Sequence, residues 1–467
     1  MSDLLAIINP ATEALLDEIA VDTVAAIQHK AATARKSQPA WAARPLAERI
    51  TIIQQFQTLL IQQQGELAAT LTAEMGKPIT QAHAEIRATS ERIAFFTEQV
   101  ASVLAPMVVH QEPLTVPGSN ALEEIITSDP LGVVANISAW NYPYFVGTNV
   151  FIPALLTGNA VLYKPSEFAT LTGLAIAHLL HTAGVPEDIF VPIIGGGSVG
   201  AALLQQPLNG VFFTGSYATG KRVAVAAAAQ LAKVQLELGG KDPAYVCEDV
   251  ADVGAVAAAL ADGAFYNTGQ SCCAVERLYV HASVYDEFLD AFLTTVNGFV
   301  VGDPTHPDTY IGPISRKVHL PELERQVKDA VAKGATLHLG GHPVRGTGWY
   351  FAPTVLTDVT HEMAVMRDET FGPVIGIQKV ASDAEAVALM TDTAYGLTAA
   401  VYSSDRHRAT EILSQVNSGT AYWNCCDRVS PRLPWSGRGH SGLGATLSLD
   451  GIRTFTQPRG WHLKMGR

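Results

Sequence analysis

The chain has 467 residues, 48% of them apolar, and a formal net charge of −13 at pH 7. This length and apolar content can bury a large core and predict two or three structural units. The negative charge disfavours nucleic acids and anionic membranes as partners because like charges repel. The five cysteines lack the spacing of a zinc site, so we expect reduced thiols and no metal. No secretory signal or membrane-spanning run is evident, which predicts a cytoplasmic protein.

The first hundred residues carry apolar positions at helical spacing. They predict one helix from about residue 45, a second from about 65 to the stop GKP (76–78), and a third from about 80 to 103. The turn-rich stretch PLTVPG (113–118) precedes the extended run LEEIIT (122–127). These two runs predict a hairpin.

From Gly132 the chain alternates short apolar runs with helical stretches. The predicted strands are 133–137, 160–163, 189–194 and 211–213, and the predicted helices between and after them include 169–183 and 218–232. A second series follows Gly240, with candidate strands at 244–246, 277–280, 336–339, 374–379 and 399–402. Alternating strands and helices indicate parallel sheets, which bind ligands at the carboxyl ends of their strands.

A cysteine and a glutamate form a candidate pair of nucleophile and base. Cys272 ends the segment FYNTGQSC (265–272), and Glu237 opens the segment ELGG (237–240) at the boundary between the two series. A thiol, with a pKa near ~8.5, is a strong nucleophile toward a carbonyl carbon. The alternative for a lone intracellular cysteine is a small buried side chain with a structural role. The glycine and small polar residues before Cys272 favour a turn that directs the thiol into a cleft.

These segments resemble the aldehyde dehydrogenase superfamily, and the resemblance extends along nearly the whole chain. The matching blocks, in order, are PLGVV (130–134), WNYP (140–143), PAL (153–155), GN (158–159), KPSE (164–167), FTGS (213–216), ELGGK (237–241), the Cys272 segment, ETFGPV (369–374) and SG (441–442). The resemblance implies an NAD(P)-dependent enzyme of the hydrolytic type. Such an enzyme oxidises an aldehyde to a carboxylic acid through a cysteine thiohemiacetal and a thioester.

The expected fold class is α/β, with two doubly wound parallel-sheet domains, one cofactor-binding and one catalytic, and a small β oligomerisation arm. The predicted limits are 1–111 and 128–237 for the dinucleotide-binding domain, 238–435 for the catalytic domain, and 112–127 and 436–467 for the arm and the C-terminal tail. The candidate nucleophile and base would then meet in the cleft between the two domains, where small molecules are often bound.

Two glycine patterns match the dinucleotide fingerprint G-x-G-x-x-G, at GGGSVG (195–200) and GRGHSG (437–442). The pattern specifies little here, since the second copy has no strand before it and the first lacks the acid expected about 20 residues further on. Glu167 instead follows the strand at 160–163. Its carboxylate can accept hydrogen bonds from a ribose 2′-hydroxyl and repel a 2′-phosphate, which favours NAD, with NADP as the alternative.

In the family that the chain resembles, the KPSE block holds the adenosine ribose, and the FTGS turn opens a helix whose free N–H groups attract the pyrophosphate. The cofactor-binding residues implied for this chain are Ile137, Trp140, Lys164, Glu167, Gly197, Gly215, Ser216, Gly220, Leu238, Glu369 and Phe371. Glu369 is implied to bind the nicotinamide ribose, with Phe371 against the cofactor. Spacing alone leaves a solvated ion pair as the alternative for Lys164 and Glu167.

Asn141 lies in the loop after the strand at 133–137. Its side-chain amide can donate to the oxyanion that forms when the Cys272 thiolate adds to an aldehyde, together with the Cys272 backbone N–H. Glu237 would then activate the water that releases the acid. The alternative for Asn141 is a turn residue that bonds to its own backbone.

The substrate is the least specified part of the prediction. Tyr144 and Trp423 are candidate aromatic walls, and Arg428 and Arg432 are candidate partners for a substrate carboxylate. Core packing is the alternative for the aromatic pair, and solvated loop charges are the alternative for the arginines. A semialdehyde or a bulky or aromatic aldehyde would fit these groups.

Other activities stay open at this point. They are a cysteine-dependent acyltransferase or hydrolase, an acylating enzyme that passes the thioester to coenzyme A, and a non-catalytic protein on the same fold. The first would need a histidine base, and no histidine lies near Cys272 in the sequence. The resemblance also implies a homodimer or homotetramer.

Overall fold

The computed structural model describes residues 3–112 and 121–465. Its elements up to residue 130 are β1 (Leu4–Ile8), β2 (Leu15–Ala20), α1 (Val24–Ala43), α2 (Leu46–Gln62), α3 (Gln64–Met75), α4 (Ile79–Leu104), β3 (Met107–Glu112) and β4 (Ala121–Pro130). The three predicted helices are confirmed as α2, α3 and α4. Helix α3 ends where Gly76 adopts a left-handed φ of 82°, as the GKP stop predicts. The sequence analysis missed α1 and the hairpin of β1 and β2.

The first α/β series builds a mainly parallel sheet. Its elements are β5 (Val133–Ile137), α5 (Pro143–Leu156), β6 (Ala160–Lys164), α6 (Thr170–Ala183), β7 (Phe190–Pro192), α7 (Gly197–Leu203), β8 (Gly210–Thr214), α8 (Tyr217–Ala228) and β9 (Lys233–Glu237). The parallel strands run in the order β9-β8-β5-β6-β7. The four predicted strands are present, and β9, which ends at Glu237, was missed.

The second series forms a larger sheet. Its elements are β10 (Asp242–Val246), α9 (Val253–Phe265), β11 (Val275–His281), α10 (Tyr285–Asn297), α11 (Leu320–Ala332), β12 (Thr336–Leu339), β13 (Thr354–Thr357), α12 (Ala364–Arg367), β14 (Val374–Val380), α13 (Asp383–Thr391), β15 (Thr398–Tyr402), α14 (Arg406–Ser414) and β16 (Thr420–Trp423). The strand order is β12-β13-β14-β11-β10-β15-β16, parallel except for the edge pair β12 and β13. The predicted strands are confirmed, while β13 and β16 were not predicted.

The C-terminal segment returns to earlier parts of the chain. Its elements are β17 (Gly442–Leu443), α15 (Ser448–Arg453) and β18 (Thr456–Met465). Strand β17 pairs antiparallel with the end of β9, where Gly442 is the partner of Glu237. Strand β18 pairs along β4, which also pairs with β3, so these three strands form a separate small sheet. The predicted hairpin is present as β3 and β4, and its turn at 113–118 lies outside the described residues.

These observations confirm the α/β class with two mainly parallel sheets. Buried apolar side chains of α1 to α4 pack in one cluster with those of the first sheet, while two further clusters cover the faces of the second sheet. The sequence-based domain limits stay a prediction. Within the described part of the chain, no helix combines the length and the apolar character needed to span a bilayer.

Candidate active site

A cavity of about 660 Å³ lies between the two sheets, a size within the range of about 300–1,000 Å³ that is usual for small-molecule sites. It opens at the carboxyl ends of β5, β6, β8 and β9, as expected for parallel sheets. The predicted residues on its wall are Ile137, Trp140, Asn141, Lys164, Glu167, Gly197, Gly215, Ser216, Glu237, Leu238, Cys272, Glu369 and Phe371. The structure therefore brings the candidate catalytic groups and nearly all candidate cofactor residues to one place.

The loop that carries Cys272 has an unusual backbone. Asn267 and Thr268 have φ values of 54° and 59°, and Gly269 has 68°, a left-handed region that costs free energy for residues other than glycine. Hydrogen bonds from distant elements hold this turn, including Asn267 N–H to Gln81 Oε1 at 2.9 Å. The turn leaves Cys272 half-buried on the cavity wall, so the thiol is accessible and not a core side chain.

Asn141 is fixed beside the same loop. It is 4% exposed, and its Nδ2 donates to Gln270 O at 3.1 Å. That bond uses one of the two amide hydrogens, so the other can donate to a group in the cavity. Among the described residues no acceptor is found for the Cys272 backbone N–H. Two donors are thus placed where an oxyanion on a Cys272 adduct would form.

Glu237 is the last residue of β9 and is 5% exposed. Its Oε1 accepts a hydrogen bond from Thr446 Oγ1 and another from Gln235 Nε2 at 3.2 Å. Burial raises the pKa of Glu237 to about 7, although these two hydrogen bonds and the charge of Arg92 act in the opposite direction. A carboxyl group with this pKa can exchange a proton near neutral pH, as a general base requires.

The neighbouring Cys273 is not equivalent to Cys272. Its Sγ is buried and donates to Asp427 Oδ1 at 2.9 Å. Its hydrogen bond with Cys272 and its burial raise the pKa of Cys273 well above the ordinary value. Since the thiolate is the nucleophile, Cys273 is kept in the unreactive form. Cys273 therefore has a packing role.

One end of the cavity is suited to a nucleotide. Lys164 is buried at the end of β6, with its Nζ 3.6 Å from Glu167 Oε2, and burial lowers the pKa of this lysine. Ser216 is the N-cap of α8, and its side chain accepts no hydrogen bond from the first N–H groups of that helix. Such free N–H groups bind phosphate well. The first fingerprint also reaches the wall, through Gly197 and Gly200.

Gly220 is the one predicted cofactor residue that does not line the cavity. A Cβ at this position would lie 2.5 Å from Leu238 Cδ2. The glycine therefore allows α8 to pack against Leu238, which itself lines the cavity. This is a correction to the sequence analysis: Gly220 acts on the cavity wall through packing and does not face the cavity.

The opposite wall comes from the second series. Phe371 packs edge-to-face on Trp140 with ring centroids 5.5 Å apart, a favourable geometry for an aromatic pair. Glu369 Oε1 accepts a hydrogen bond from Gly240 N–H at 3.2 Å. These contacts connect the two sheets across the cleft and place the implied nicotinamide-end residues near the catalytic groups.

The predicted substrate residues lie away from this cavity. Tyr144 is 1% exposed and packs in the core. Arg428 and Arg432 are exposed on their loop, and the exposed Trp423 donates its Nε1–H to Ser403 O at 3.0 Å. Their assignment to the substrate stays a prediction. For Tyr144 the reason is helix phase, because α5 begins at Pro143 and turns this side chain inward.

Several cavity residues were missed. Those from the second series are Ile314, Arg316 and His319, and those one turn into α8 are Thr219, Arg222 and Val223. The α8 residues follow from helical spacing after Ser216, so the FTGS block could have predicted them. No local signal marks Arg316 or His319, which reach the cleft through the tertiary fold alone.

Comparison with known proteins identifies relatives over almost the full length. The model of the aldehyde dehydrogenase family matches residues 2–460. The chain is 37% identical over 420 residues to a succinate-semialdehyde dehydrogenase [NADP(+)] of Deinococcus radiodurans, covering 90% of this chain and 86% of that protein. It is 32% identical over 454 residues to the lactaldehyde dehydrogenase of Escherichia coli, covering 97% and 93% of the two chains.

Solved structures agree with these sequence matches. The crystal structure of lactaldehyde dehydrogenase from Escherichia coli superposes with a TM-score of 0.94 at 31% identity, covering 99% of this chain and 96% of that chain. An NAD-dependent aldehyde dehydrogenase from Sinorhizobium meliloti also gives 0.94 at 31% identity, covering 100% and 92%. The chain therefore belongs to the aldehyde dehydrogenase family, and its activity is the NAD(P)-dependent oxidation of an aldehyde to a carboxylic acid through a catalytic cysteine.

Proposed function

We propose that Cys272, Asn141 and Glu237 divide the chemistry among them. The Cys272 thiolate adds to the aldehyde carbon, and the resulting oxyanion is held by Asn141 Nδ2 and the Cys272 backbone N–H. Collapse of the oxyanion expels the aldehyde hydrogen as a hydride, for which a bound nicotinamide cofactor would be the acceptor, and leaves a thioester on Cys272. The observation that carries this proposal is that the thiol, the amide donor and the buried carboxyl group share one cavity wall.

Glu237 acts in the second half of the reaction. In its ionised form it takes a proton from a water molecule, which attacks the thioester and releases the acid. Its pKa of about 7 leaves a substantial ionised fraction at neutral pH. The hydrogen bonds from Thr446 and Gln235 fix the carboxyl group at the end of β9, so its approach to water is set by the sheet.

The residues of the cavity fit a nicotinamide dinucleotide. Lys164, Glu167 and Ser216 would hold the adenosine and phosphate portion, and Glu369 with Phe371 would hold the nicotinamide end. The bound cofactor supplies the hydride acceptor. The open first turn of α8 supports this assignment, because a phosphate needs free N–H donors.

We propose a preference for NAD over NADP. The Glu167 carboxylate lines the cavity and would repel a 2′-phosphate. The relatives argue on both sides: the Deinococcus radiodurans protein is named for NADP(+), and the Sinorhizobium meliloti protein is named NAD-dependent. Exchanging Glu167 for Gln should lower the ratio of kcat/KM for NAD to that for NADP. An unchanged ratio would remove Glu167 as the cause of the preference.

The substrate is proposed to be a semialdehyde, with a bulky or aromatic aldehyde as the second candidate. One relative named above acts on succinate semialdehyde and another on lactaldehyde, by their names. The partly exposed aromatic pair Tyr142 and Phe145, stacked with centroids 5.7 Å apart, follows Asn141 and offers an apolar surface to either candidate. Reduction of NAD and NADP over a panel of aldehydes, with Cys272→Ala as the control, tests both the reaction and its substrate. No reduction with any aldehyde would refute the proposal.

The three-stranded sheet of β3, β4 and β18 supports a homodimer or homotetramer. Met107, Val108 and Val109 are 59%, 53% and 51% exposed on β3, and an exposed apolar edge strand is usually covered by a partner. The five free thiols support the expectation of a reducing, cytoplasmic compartment. Sedimentation of the purified protein tests the assembly, and a monomer at micromolar concentration would contradict it.

A further inference from the structure

A buried arginine contacts the helix that follows the Asn141 loop. Arg92 of α4 is 4% exposed. Its guanidinium lies 3.9 Å from the centroid of the Phe145 ring, and its Nη1 donates to Asn149 Oδ1 at 2.9 Å. The ring of Tyr142 also stacks on Phe145. The arginine is thus held by a neutral amide and an aromatic face.

Arg92 lacks an anion of its own. Among the described residues, no carboxylate lies within ion-pair distance of its guanidinium. Glu85 is already paired with Lys77 and accepts the Tyr144 N–H at 2.9 Å, and Glu237 has the hydrogen bonds described above. Lys77, the other buried cation nearby, does have a partner. Arg92 therefore differs from Lys77 in having no ion-pair partner among the described residues.

The charge of Arg92 persists at neutral pH. Burial lowers the pKa of Arg92 to about 10, while nearby negative charges, with Glu237 the strongest, raise it. A buried charge without a paired partner costs free energy. A ligand that supplied a carboxylate would remove that cost and would gain a charge-assisted hydrogen bond.

The arginine is connected to the Asn141 loop through an aromatic pair. Tyr142 follows Asn141 in the chain, and its ring stacks on Phe145, the ring that the Arg92 guanidinium contacts. Tyr142 and Phe145 keep part of their surface exposed although the residues around them are buried, and Cys272 is also half-buried. A series of contacts thus runs from Asn141 on the cavity wall through Tyr142 and Phe145 to the guanidinium.

We propose that Arg92 binds a carboxylate of the substrate, and that the preferred substrate is a short aldehyde with a carboxylate a few carbons from the carbonyl group. This inference rests on the proposed aldehyde oxidation. The guanidinium fork matches a carboxylate in a bidentate manner, and the rings of Tyr142 and Phe145 pack against the carbon chain between the two ends. Arg92 replaces the exposed Arg428 and Arg432 as the carboxylate partner.

The test compares 4-oxobutanoate with butanal, which has the same chain length and no carboxylate. The wild-type protein should show a higher kcat/KM for 4-oxobutanoate. Arg92→Gln should lower that value about 100-fold, mainly through KM, since removing one partner of a buried charge pair has effects of this size. The kcat/KM for butanal should stay within about 3-fold. Arg87→Gln, an exposed arginine on the same helix, is the matched control and should change neither.

A second variant leaves the arginine in place. Asn149→Asp replaces the amide that accepts a hydrogen bond from Arg92 with a carboxylate. This carboxylate should compete with the substrate carboxylate for the Arg92 guanidinium and reduce the preference for 4-oxobutanoate. The Asn149→Asp variant tests the role of Arg92 even if the Arg92→Gln variant does not fold. Equal losses with both aldehydes in the Arg92 variant would overturn the inference, because they would show that Arg92 acts on Glu237 or Cys272.

Loss of the preference in Arg428→Gln, with Arg92→Gln retaining it, would also overturn the inference. Two further outcomes separate it from the proposed function. A wild-type protein that oxidises butanal and 4-oxobutanoate equally well refutes only the role of Arg92. A wild-type protein that oxidises no aldehyde with either cofactor refutes the proposed function itself.

Discussion

Exchange of Glu237 for Gln separates the two halves of the reaction. Glutamine has nearly the same shape and can keep the hydrogen bond from Gln235 Nε2, which is 3.2 Å long in the wild-type structure. It cannot take a proton from water. Cys272 and Asn141 are unchanged in this variant, so formation of the thioester should continue while its hydrolysis slows.

The size of the effect follows from the role and the pKa of Glu237. A positioned general base contributes about 10²–10⁴ in rate, and a loss of about 10³ corresponds to about 4 kcal/mol of transition-state stabilisation. Because the base acts in its ionised form and burial raises its pKa to about 7, hydrolysis by the wild-type protein should slow as the pH falls through 7. The glutamine variant should lack this dependence.

Rapid mixing with excess aldehyde and cofactor measures both steps. The Glu237→Gln variant should show a burst of reduced cofactor close to one equivalent per Cys272, followed by a steady state about 10³-fold slower than that of the wild-type protein. Loss of the burst in proportion to the steady-state rate would refute the division of labour. It would show that Glu237 is needed for the attack by Cys272 as well.

Three further predictions concern neighbouring groups. Asn141→Ala should lower kcat about 10²–10³-fold, the usual effect of removing one oxyanion donor. Titration with the cofactor should give an unchanged affinity. A loss of kcat below 10-fold would contradict the role of Asn141 as a donor to the oxyanion. Gly220→Ala should move Leu238 toward the cavity and raise KM for the cofactor. It should also lower the free energy of unfolding by about 1 kcal/mol, as measured by thermal unfolding. The control is Gly65→Ala, where a Cβ would meet nothing within 4 Å, and it should change neither KM nor stability. Burial raises the pKa of Glu237 from its ordinary 4.5 to about 7, so the folded wild-type protein loses stability as the pH rises from 4.5 to 7 and this buried carboxyl group ionises. Denaturant unfolding should therefore find Glu237→Gln more stable than the wild-type protein at pH 8, by up to about 3 kcal/mol. The two proteins should not differ near pH 4.

Local patterns predicted the parts of the site that follow parallel strands. Lys164 ends β6 and Ser216 is the N-cap of α8, and both positions can be predicted from a short apolar run followed by turn residues. The strand that carries Glu237 was missed because its sequence, KVQLE, has polar residues at three of five positions and lacks the apolar run of the other parallel strands. Its antiparallel partner β17 joins it only after the chain has completed the second sheet.

The direction in which side chains point was the second feature that the sequence alone did not predict. The WNYPY segment offered two tyrosines, and the one chosen as an aromatic wall, Tyr144, points into the core. Because α5 starts at Pro143, Tyr142 and Phe145 lie three residues apart on one face and stack, while Tyr144 turns away. The helix that contains Arg92 was predicted, but its neighbours Phe145 and Asn149 come from another helix, so no local pattern could reveal that contact.

The most direct test of the account is the identity of the residue that becomes acylated. The Glu237→Gln variant, mixed with an oxidisable aldehyde and cofactor and then quenched in acid, should retain the acyl group as a thioester. Mass spectrometry of its peptides should locate that group on Cys272 and leave Cys273 unmodified. An acyl group on Cys273, or turnover that persists in Cys272→Ala, would contradict the central claim.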